Sequence, residues 1–415
     1  MNIWYISAYD QPKGHSSRVY DFCLELLRRG HEVTFFTNSY NHWTHFEKLE
    51  KKEKWRIEET DGIRVVWLKT FPYSGNGINR GINMISNMLR IFQVTRVLDD
   101  QPDVVIGPSV PIGTGWAALK ISQKKSAAFV YEVRDVWPIA LVDDGGLSKY
   151  NPIYFLFRAM EKTLYKKSNR ISSTLPYIFE HVKESGGNPQ NVRWIPNGVD
   201  IQRFCGYDNY NGGNGSTFVV MYVGGFGMAH DAITIIRAAN ILQNLGYSEF
   251  RFVLVGDGFK RKKCEAEALT FNLKNIEFRN PVPKADIPKL QAESDILLAC
   301  IINSDIYRFG FNLNKLYDYF ASGRPVVLSV KSQKNPVVES GAGFSIPPEN
   351  PYLLAESLIA LRRMSSQQRV DIGKKGQRFV QNNFSIDQLG NIMELTLDES
   401  VKSKGLRNLS RKKNT

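Results

Sequence analysis

Strand-like and helix-like stretches alternate along this chain in two successive rounds, and that pattern limits the fold more than any other feature. Short β-prone runs occur at Ile3–Ala8, Glu32–Thr37, Asp103–Ile106, Ala127–Glu132 and Arg170–Ser173, and the helical stretch Arg18–Arg29 stops at Gly30. The pattern restarts at Phe218 (FVVMYVG). A helix over Ile233–Leu245 and strands at Phe250–Gly256, Asn275–Phe278, Asp295–Cys300 and Pro325–Val330 follow. Such alternation builds a parallel sheet covered by helices. Two rounds predict two doubly wound α/β domains. The division is expected between Asn197 and Ser216, where YDNYNGGNGS is poor in apolar residues, as a linker should be. The end of the chain, from Ser400, carries six Lys/Arg and no acid and reads as a mobile basic tail.

Composition removes several classes. The 415 residues are 42% hydrophobic and 23% charged, an ordinary globular balance. The cysteines Cys23, Cys205, Cys264 and Cys300 lie far apart with no C-x-x-C pair, which argues against a disulfide scaffold or zinc ribbon and fits a reducing compartment. No apolar run reaches the ~18 residues of a membrane span. The opening MNIWYISAYD has no basic n-region, so a cytoplasmic location is expected. A net charge of +13 points to an anionic partner. No RNP, zinc-finger or homeodomain pattern accompanies it, so nucleic acid is not expected.

Doubly wound sheets bind ligands at the carboxyl ends of their strands. Gly-rich junctions stand at three such places: QPKGHSSR (Gln11–Arg18), VGGFGMAHD (Val223–Asp231) and VGDGFK (Val255–Lys260). Each is either a tight turn or a close approach to phosphate. GGFG departs from the dinucleotide fingerprint G-x-G-x-x-G, and no G-x-x-x-x-G-K-[ST] occurs, which excludes a P-loop ATPase.

The segment YRFGFNLNKLYDYFASGRPVV (Tyr307–Val327) is the most informative. Asn312 or Asn314 is placed to cap a helix that ends at Gly323. Lys315 falls in its first turn, where the helix dipole disfavours a cation unless an anion is bound. Asp318, three residues on, shares that face. A lysine for phosphate and a carboxylate for ribose hydroxyls together describe a nucleotide-diphosphate site.

These segments, in this order, resemble retaining GT-B glycosyltransferases of family 4, most of all the bacterial group that builds capsule, O-antigen and similar surface polysaccharides. The resemblance runs from Met1 to about Leu395 through RRGHEVTFFT, EVRDVWP, IPNGVD, YVGGFGMAHD, LVGDGFKR, PVPKADIPKLQAESDILL, NKLYDYFASGRPVV and VVESGAGFSIPPEN. It implies two Rossmann-like domains facing each other across a cleft. Residues 1–198 would bind acceptor, 199–383 would bind the nucleotide-sugar donor, 384–400 would form a helix returning to the first domain, and 401–415 would be a flexible tail.

The family's donor-contacting stretch matches Asn314, Lys315, Leu316 and Asp318, with Asp318 in the place of the second glutamate of its two-glutamate signature. The first glutamate falls at Gly310. Gly225 and His230 stand where the family often has phosphate-binding Arg and Lys, so the backbone of Gly224, Gly225, Phe226 and Gly227 is expected to share the phosphate with Lys315. Gly256 and Val282 match segments around the base, and Gly14 matches the loop approaching the donor phosphates. Arg134 replaces a common His, and Asp135 is retained; with Lys315 they are the expected catalytic groups. Asp135 or Glu132 would orient the sugar or stabilise an oxocarbenium ion.

The resemblance implies transfer of a sugar from a nucleotide-diphosphate sugar to a saccharide, often lipid-linked. Developing charge on the leaving diphosphate would be stabilised by lysine and backbone donors, with no metal or other cofactor. The acidic pairs Asp99–Asp100 and Asp143–Asp144 lack a third ligand. Two basic, apolar segments, Arg80–Arg96 and Asn151–Arg170, suit an acidic bilayer at which the protein would sit peripherally, on the inner face of the plasma membrane; each also fits a helix burying one apolar face. Other readings of the same fold are a nucleotide-sugar epimerase and an inactive subunit lacking the acid at Gly310.

Overall fold

The computed structural model describes residues 1–413 apart from 15–17, 43, 76, 144–145 and 208, with side chains described through Leu406. The chain forms two compact units. Met1–Pro196 and Ile386–Thr415 make the first, and Asn197–Ser385 the second.

The first unit holds an eight-stranded sheet, β1 (Asn2–Ile6), β2 (Glu32–Asn38), β3 (Trp55–Thr60), β4 (Ile63–Leu68), β5 (Val104–Pro108), β6 (Ala128–Val133), β7 (Arg170–Ser173) and β8 (Val192–Trp194), in the order β3-β4-β2-β1-β5-β6-β7-β8. Only β3 runs antiparallel. The second unit holds β9 (Phe218–Val223), β10 (Phe250–Val255), β11 (Ile276–Arg279), β12 (Ile296–Cys300), β13 (Val326–Ser329) and β14 (Gly343–Ile346), all parallel, in the order β11-β10-β9-β12-β13-β14. This is the doubly wound order, and the direction of winding reverses between β9 and β12. Central strands covered on both faces must be apolar throughout. β1, β9 and β12 accordingly bury Ile3–Ile6, Val220–Tyr222 and Ile296–Leu298 completely.

The predicted strands are present within one or two residues. The β3–β4 hairpin was not expected, because WRIEET is half-exposed and shows little apolar pattern. The available signal was Asp61-Gly62, which turns the chain with φ of 52° and 80°.

One other expectation is refined and one corrected. The Asn/Gly-rich stretch before β9 is mostly exposed, as expected of a loop, but it is anchored at its middle: Gly212 and Gly213 are buried, and buried Arg369 donates through Nε to the Gly212 carbonyl at 2.6 Å. The chain end is helical, in one helix Ile386–Lys413. Leu389, Met393 and Leu397 bury it in the first unit's core. Arg29 binds Asp387 and Glu394, and Arg170 and Arg193 share Glu399. The basic run that reads as a disordered tail continues this long helix instead.

Candidate functional site

In the second unit the junctions after β9 and β10 are locked together at the winding reversal. A Cβ on Gly256 would lie 1.9 Å from the Gly224 carbonyl oxygen, so only glycine allows the two loops to touch. The Gly224 amide donates to Val255 and the Phe226 amide to Asp257, each at 2.9 Å. Both are therefore spent on loop packing. Phe226 is also a core residue, 1% exposed and edge-on to Tyr222. Of the expected GGFG contacts, Gly225 and Gly227 remain; Phe226 has neither ring nor amide to offer. The loop then crosses β12, with the Asp231 amide donating to Cys300 and that of Ile302 to Ala229.

Lys315 lies under this loop. Its helix, Asn314–Ala321, starts at Leu313 without any side-chain cap. Asn312 does not cap it; its amide oxygen accepts instead from Tyr317 Oη at 3.0 Å and from the Asn197 amide at 3.2 Å. Tyr319 fixes the helix to the sheet, accepting from the Val223 amide and donating to the Val223 carbonyl. Lys315 Nζ rests 4.0 Å from the centre of the Tyr222 ring. A Cβ on Gly224 would come within 2.3 Å of it. Although the lysine stem is half-buried, Nζ is shut off from solvent and makes no hydrogen bond. Burial lowers its pKa to about 7, against a smaller upward pull from Cys300. Beside it His230 is pushed down to about 3 by burial, then by Lys315 and Lys260, so it is neutral at working pH.

Asp318 is half-buried and Asn314 exposed, each in position to meet a ligand. Leu316 is not: its side chain is 1% exposed and its amide donates to Leu313. Val282 is half-buried in the segment after β11. Gly310 has φ of 91°, a conformation an L-residue rarely adopts, so the glutamate missing from this place could not be restored without moving the backbone. Lys260, unremarked in the sequence, closes the second loop with Nζ on the Met228 carbonyl at 2.9 Å. Its position two residues after the second glycine of VGDGFK was the signal.

The first unit treats its charges differently. Arg134 grips buried Asp10 with both terminal nitrogens, the longer contact being 3.4 Å. Burial alone would lower the arginine's pKa, but Asp10 and Glu132 outweigh it and hold it above its ordinary value. Asp135 is exposed, and the Ser109 hydroxyl ties down the backbone around it. Glu132 is fully buried, bound to Arg18 at 3.1 Å and to the Tyr5 hydroxyl at 2.7 Å. Both of those bonds fall on Oε1, and Oε2 is buried without a hydrogen bond. Arg18 also donates to the Ile195 and Pro196 carbonyls, clamping the chain where the first unit ends. Gly14 closes a turn onto the Gln11 carbonyl at 3.0 Å, while the following residues 15–17 of that expected phosphate loop lie outside the described residues. Of the acidic pairs, Asp100 is bound to Arg64 and Asp144 lies outside the described residues. Among the described residues no three His, Cys, Asp or Glu side chains converge as metal ligands.

Sequence reading also missed an aromatic cluster at the carboxyl ends of β1, β2 and β4. His42 stacks on Tyr73 with ring centres 5.7 Å apart and lies 5.3 Å from Tyr9, and the Tyr73 hydroxyl meets His42 Nδ1 at 2.6 Å. The Arg80 guanidinium stands 5.7 Å from the Tyr9 ring. Burial, then Arg80 and His45, lower the His42 pKa to about 4.

Both basic, apolar segments form helices, Ile78–Val97 and Pro152–Lys167, and both pack on the helix Ile112–Lys124. The first is inverted relative to an ordinary core helix. Asn83, Asn87 and Thr95 are among its buried residues, while Ile78, Ile82, Ile85 and Leu89 face outward at 85%, 41%, 57% and 52% exposure. The second leaves Ile153, Phe155 and Leu156 half or more exposed. No described helix is long and apolar enough to cross a membrane.

Comparison with known proteins agrees with this architecture. Residues 13–198 match a glycosyl transferase 4-like domain, and residues 217–363 match the glycosyl transferases group 1. The chain is 21% identical over 271 residues to "Probable glycosyltransferase WbjE" of Pseudomonas aeruginosa, covering 62% of this chain and 64% of that one, so the match spans less than two thirds of the relative. Among solved structures, a sucrose-phosphate synthase from Thermosynechococcus elongatus has a TM-score of 0.72 at 15% identity, covering 95% of this chain and 97% of its own. Anabaena Alr3699/HepE, solved in complex with UDP and glucose, has a TM-score of 0.67 at 15% identity, covering 95% and 99%. With two matching domain models in tandem and the doubly wound fold in both units, the chain belongs to the GT-B glycosyltransferases.

Proposed function

We propose that this protein transfers a sugar from a nucleotide-diphosphate sugar, held by the second unit, to a saccharide acceptor held by the first. The observation that carries this is Lys315 Nζ: a buried amine with no hydrogen bond, at the strand-end reversal where such sheets bind ligands. Lys315 and the uncapped helix start would bear the diphosphate, and Asp318 the ribose. Lys315 would stabilise the charge that grows on the leaving group, which needs no metal. Asp135, the exposed acid of EVRDVWP, would face the sugar, with Arg134 beside it, and the transfer would retain anomeric configuration as the resemblance implies.

The acceptor side is supported by the half-buried Tyr9 and His42 rings, backed by buried Tyr73 and flanked by Arg80, ring faces and one guanidinium suited to a sugar bearing an anionic group. The outward isoleucines of Ile78–Val97 begin beside Arg80 and support a lipid-linked acceptor at an anionic membrane face. Similarity to "Probable glycosyltransferase WbjE" and to WaaG, described as involved in lipopolysaccharide biosynthesis, favours a surface-polysaccharide role. A thermal-shift screen of UDP-, GDP- and dTDP-sugars tests the donor half, since a tight donor raises Tm by mass action. Absence of any shift or transfer across these donors would overturn the reading.

A further inference from the structure

Lys315 occupies an environment that suits an uncharged amine. Its Nζ is shut off from water and bonded to no acceptor. The groups around it come from the strand ends and loops at this end of the sheet and from its own helix; the helix Ser366–Asn383 packs on that helix through Gly376 and Phe379 against Phe320. Tyr222 ends β9 and offers a ring face, while its hydroxyl is spent on the Gly225 carbonyl at 2.6 Å. His230 and Asp231 lie on the loop after β9, Cys300 ends β12, Lys260 closes the loop after β10, and Asp318 and Tyr319 lie on the lysine's own helix. Among these, His230 is neutral, Lys260 is a like charge, and the uncapped helix start adds a positive dipole end. The Asp231 carboxylate caps the next helix, its Oδ1 accepting from the Thr234 amide, and makes no hydrogen bond to Lys315. A cation buried without a counter-ion is strongly disfavoured, whereas a neutral amine on a ring face is not.

We propose that Lys315 is a proton-coupled phosphate ligand: it rests neutral against the Tyr222 ring and becomes an ammonium when a diphosphate binds, so that each nucleotide bound draws one proton from solution. This rests on the proposed donor site and adds its linkage to pH. The pKa of about 7 agrees, because it leaves most of the lysine uncharged at pH 8. The nucleotide does not supply the proton, since a terminal phosphate with a second pKa of about 6 is already ionised there. Affinity should therefore fall about tenfold per pH unit above ~7.5, until the pKa of the bound lysine is reached. Tyr222 is the positioning residue, since its ring is what Nζ rests on.

The test is titration calorimetry of the full chain with UDP, GDP, ADP and dTDP at pH 8, in two phosphate-free buffers of very different ionisation enthalpy. The nucleotide that binds should show a buffer-dependent enthalpy equivalent to close to one proton taken up. Lys315→Arg, charged at all working pH, should bind with no uptake and lose the pH dependence. Lys315→Met should lose the uptake and most of the affinity, with melting curves confirming that both variants fold. Equal enthalpies in the two buffers for wild-type protein would overturn the proposal while leaving the donor site standing. Uptake that persists in Lys315→Arg would overturn it too, by assigning the proton to another group. Absence of binding by all four nucleotides would overturn the donor site itself, and this linkage with it.

Discussion

The strand-end regions of the two units handle buried charge in opposite ways. In the first, two buried acids each have an arginine counter-ion: Arg134 holds Asp10, and Arg18 holds Glu132. In the second, Lys315 Nζ is buried with only a ring face for company. A paired buried charge joins parts of a scaffold, because either partner alone would be costly. A buried amine without a counter-ion is tolerable when it rests uncharged until a ligand completes it. The comparison also separates two motifs that look alike in sequence. EVRDVWP and NKLYDYFASG both read as sites, yet most of the charge in the first holds the fold together.

The sharpest break in that comparison is Glu132→Ala. It leaves the Arg18 guanidinium buried and uncompensated, so chemical denaturation should show a loss of about 3–5 kcal/mol, while nucleotide affinity in the second unit is unchanged. A loss below about 1 kcal/mol would show that the pair is not the scaffold described.

Lys315→Ala should do the reverse. Turnover should fall about 10²-fold or more, the usual size for a lone electrostatic donor, and wild-type rates would remove the lysine from the mechanism. Stability should move the other way. Folding lowers this pKa to about 7, so between pH 7 and its unfolded value of roughly 10.5 the unfolded chain holds more protons. Wild-type stability thus rises with pH across that window and is lost as pH falls toward 7. Lys315→Met removes that slope and should be more stable than wild type at neutral pH, as denaturant melts at pH 7 and pH 9 would show.

Asp318→Ala should weaken donor binding by about 1.5–3 kcal/mol, the worth of a charge-assisted hydrogen bond, and leave the fold intact. Calorimetry showing unchanged affinity removes the ribose assignment. A smaller effect belongs to the outward face of Ile78–Val97. Ile85→Asp should cut co-sedimentation with anionic vesicles by about 1–3 kcal/mol of lost burial and added repulsion. If binding is unaffected but disappears on deleting Val401–Thr415, the basic chain end carries the attraction instead. The smallest expected effect is none: turnover should be the same with EDTA, and a loss restored by Mg²⁺ or Mn²⁺ would contradict a metal-free transfer.

Much of this was written locally. Apolar runs such as FVVMYVG and DILLAC can only be central strands, so two doubly wound units were legible without coordinates. Lys315 was legible because a lysine in a first helical turn contradicts the dipole, and such a local conflict marks function. Phe226 and Leu316 misled because a motif match does not show which way a side chain points. The aromatic cluster of Tyr9, His42 and Tyr73 was invisible because its members come from three separate strand ends.

What the sequence alone determined was the periodicity: which stretches are strands, where glycines sit at their ends, and that two sheets follow one another. Those depend on neighbours within a few residues. Charge pairing was decided only by the tertiary structure. Asp10 meets Arg134 across 124 positions and Glu132 meets Arg18 across 114, while Lys315 meets no acid at all. Whether a buried charge is scaffold or site depends on what lies opposite it in space, and in a parallel sheet, where each crossover spans tens of residues, the opposing group lies far away along the chain.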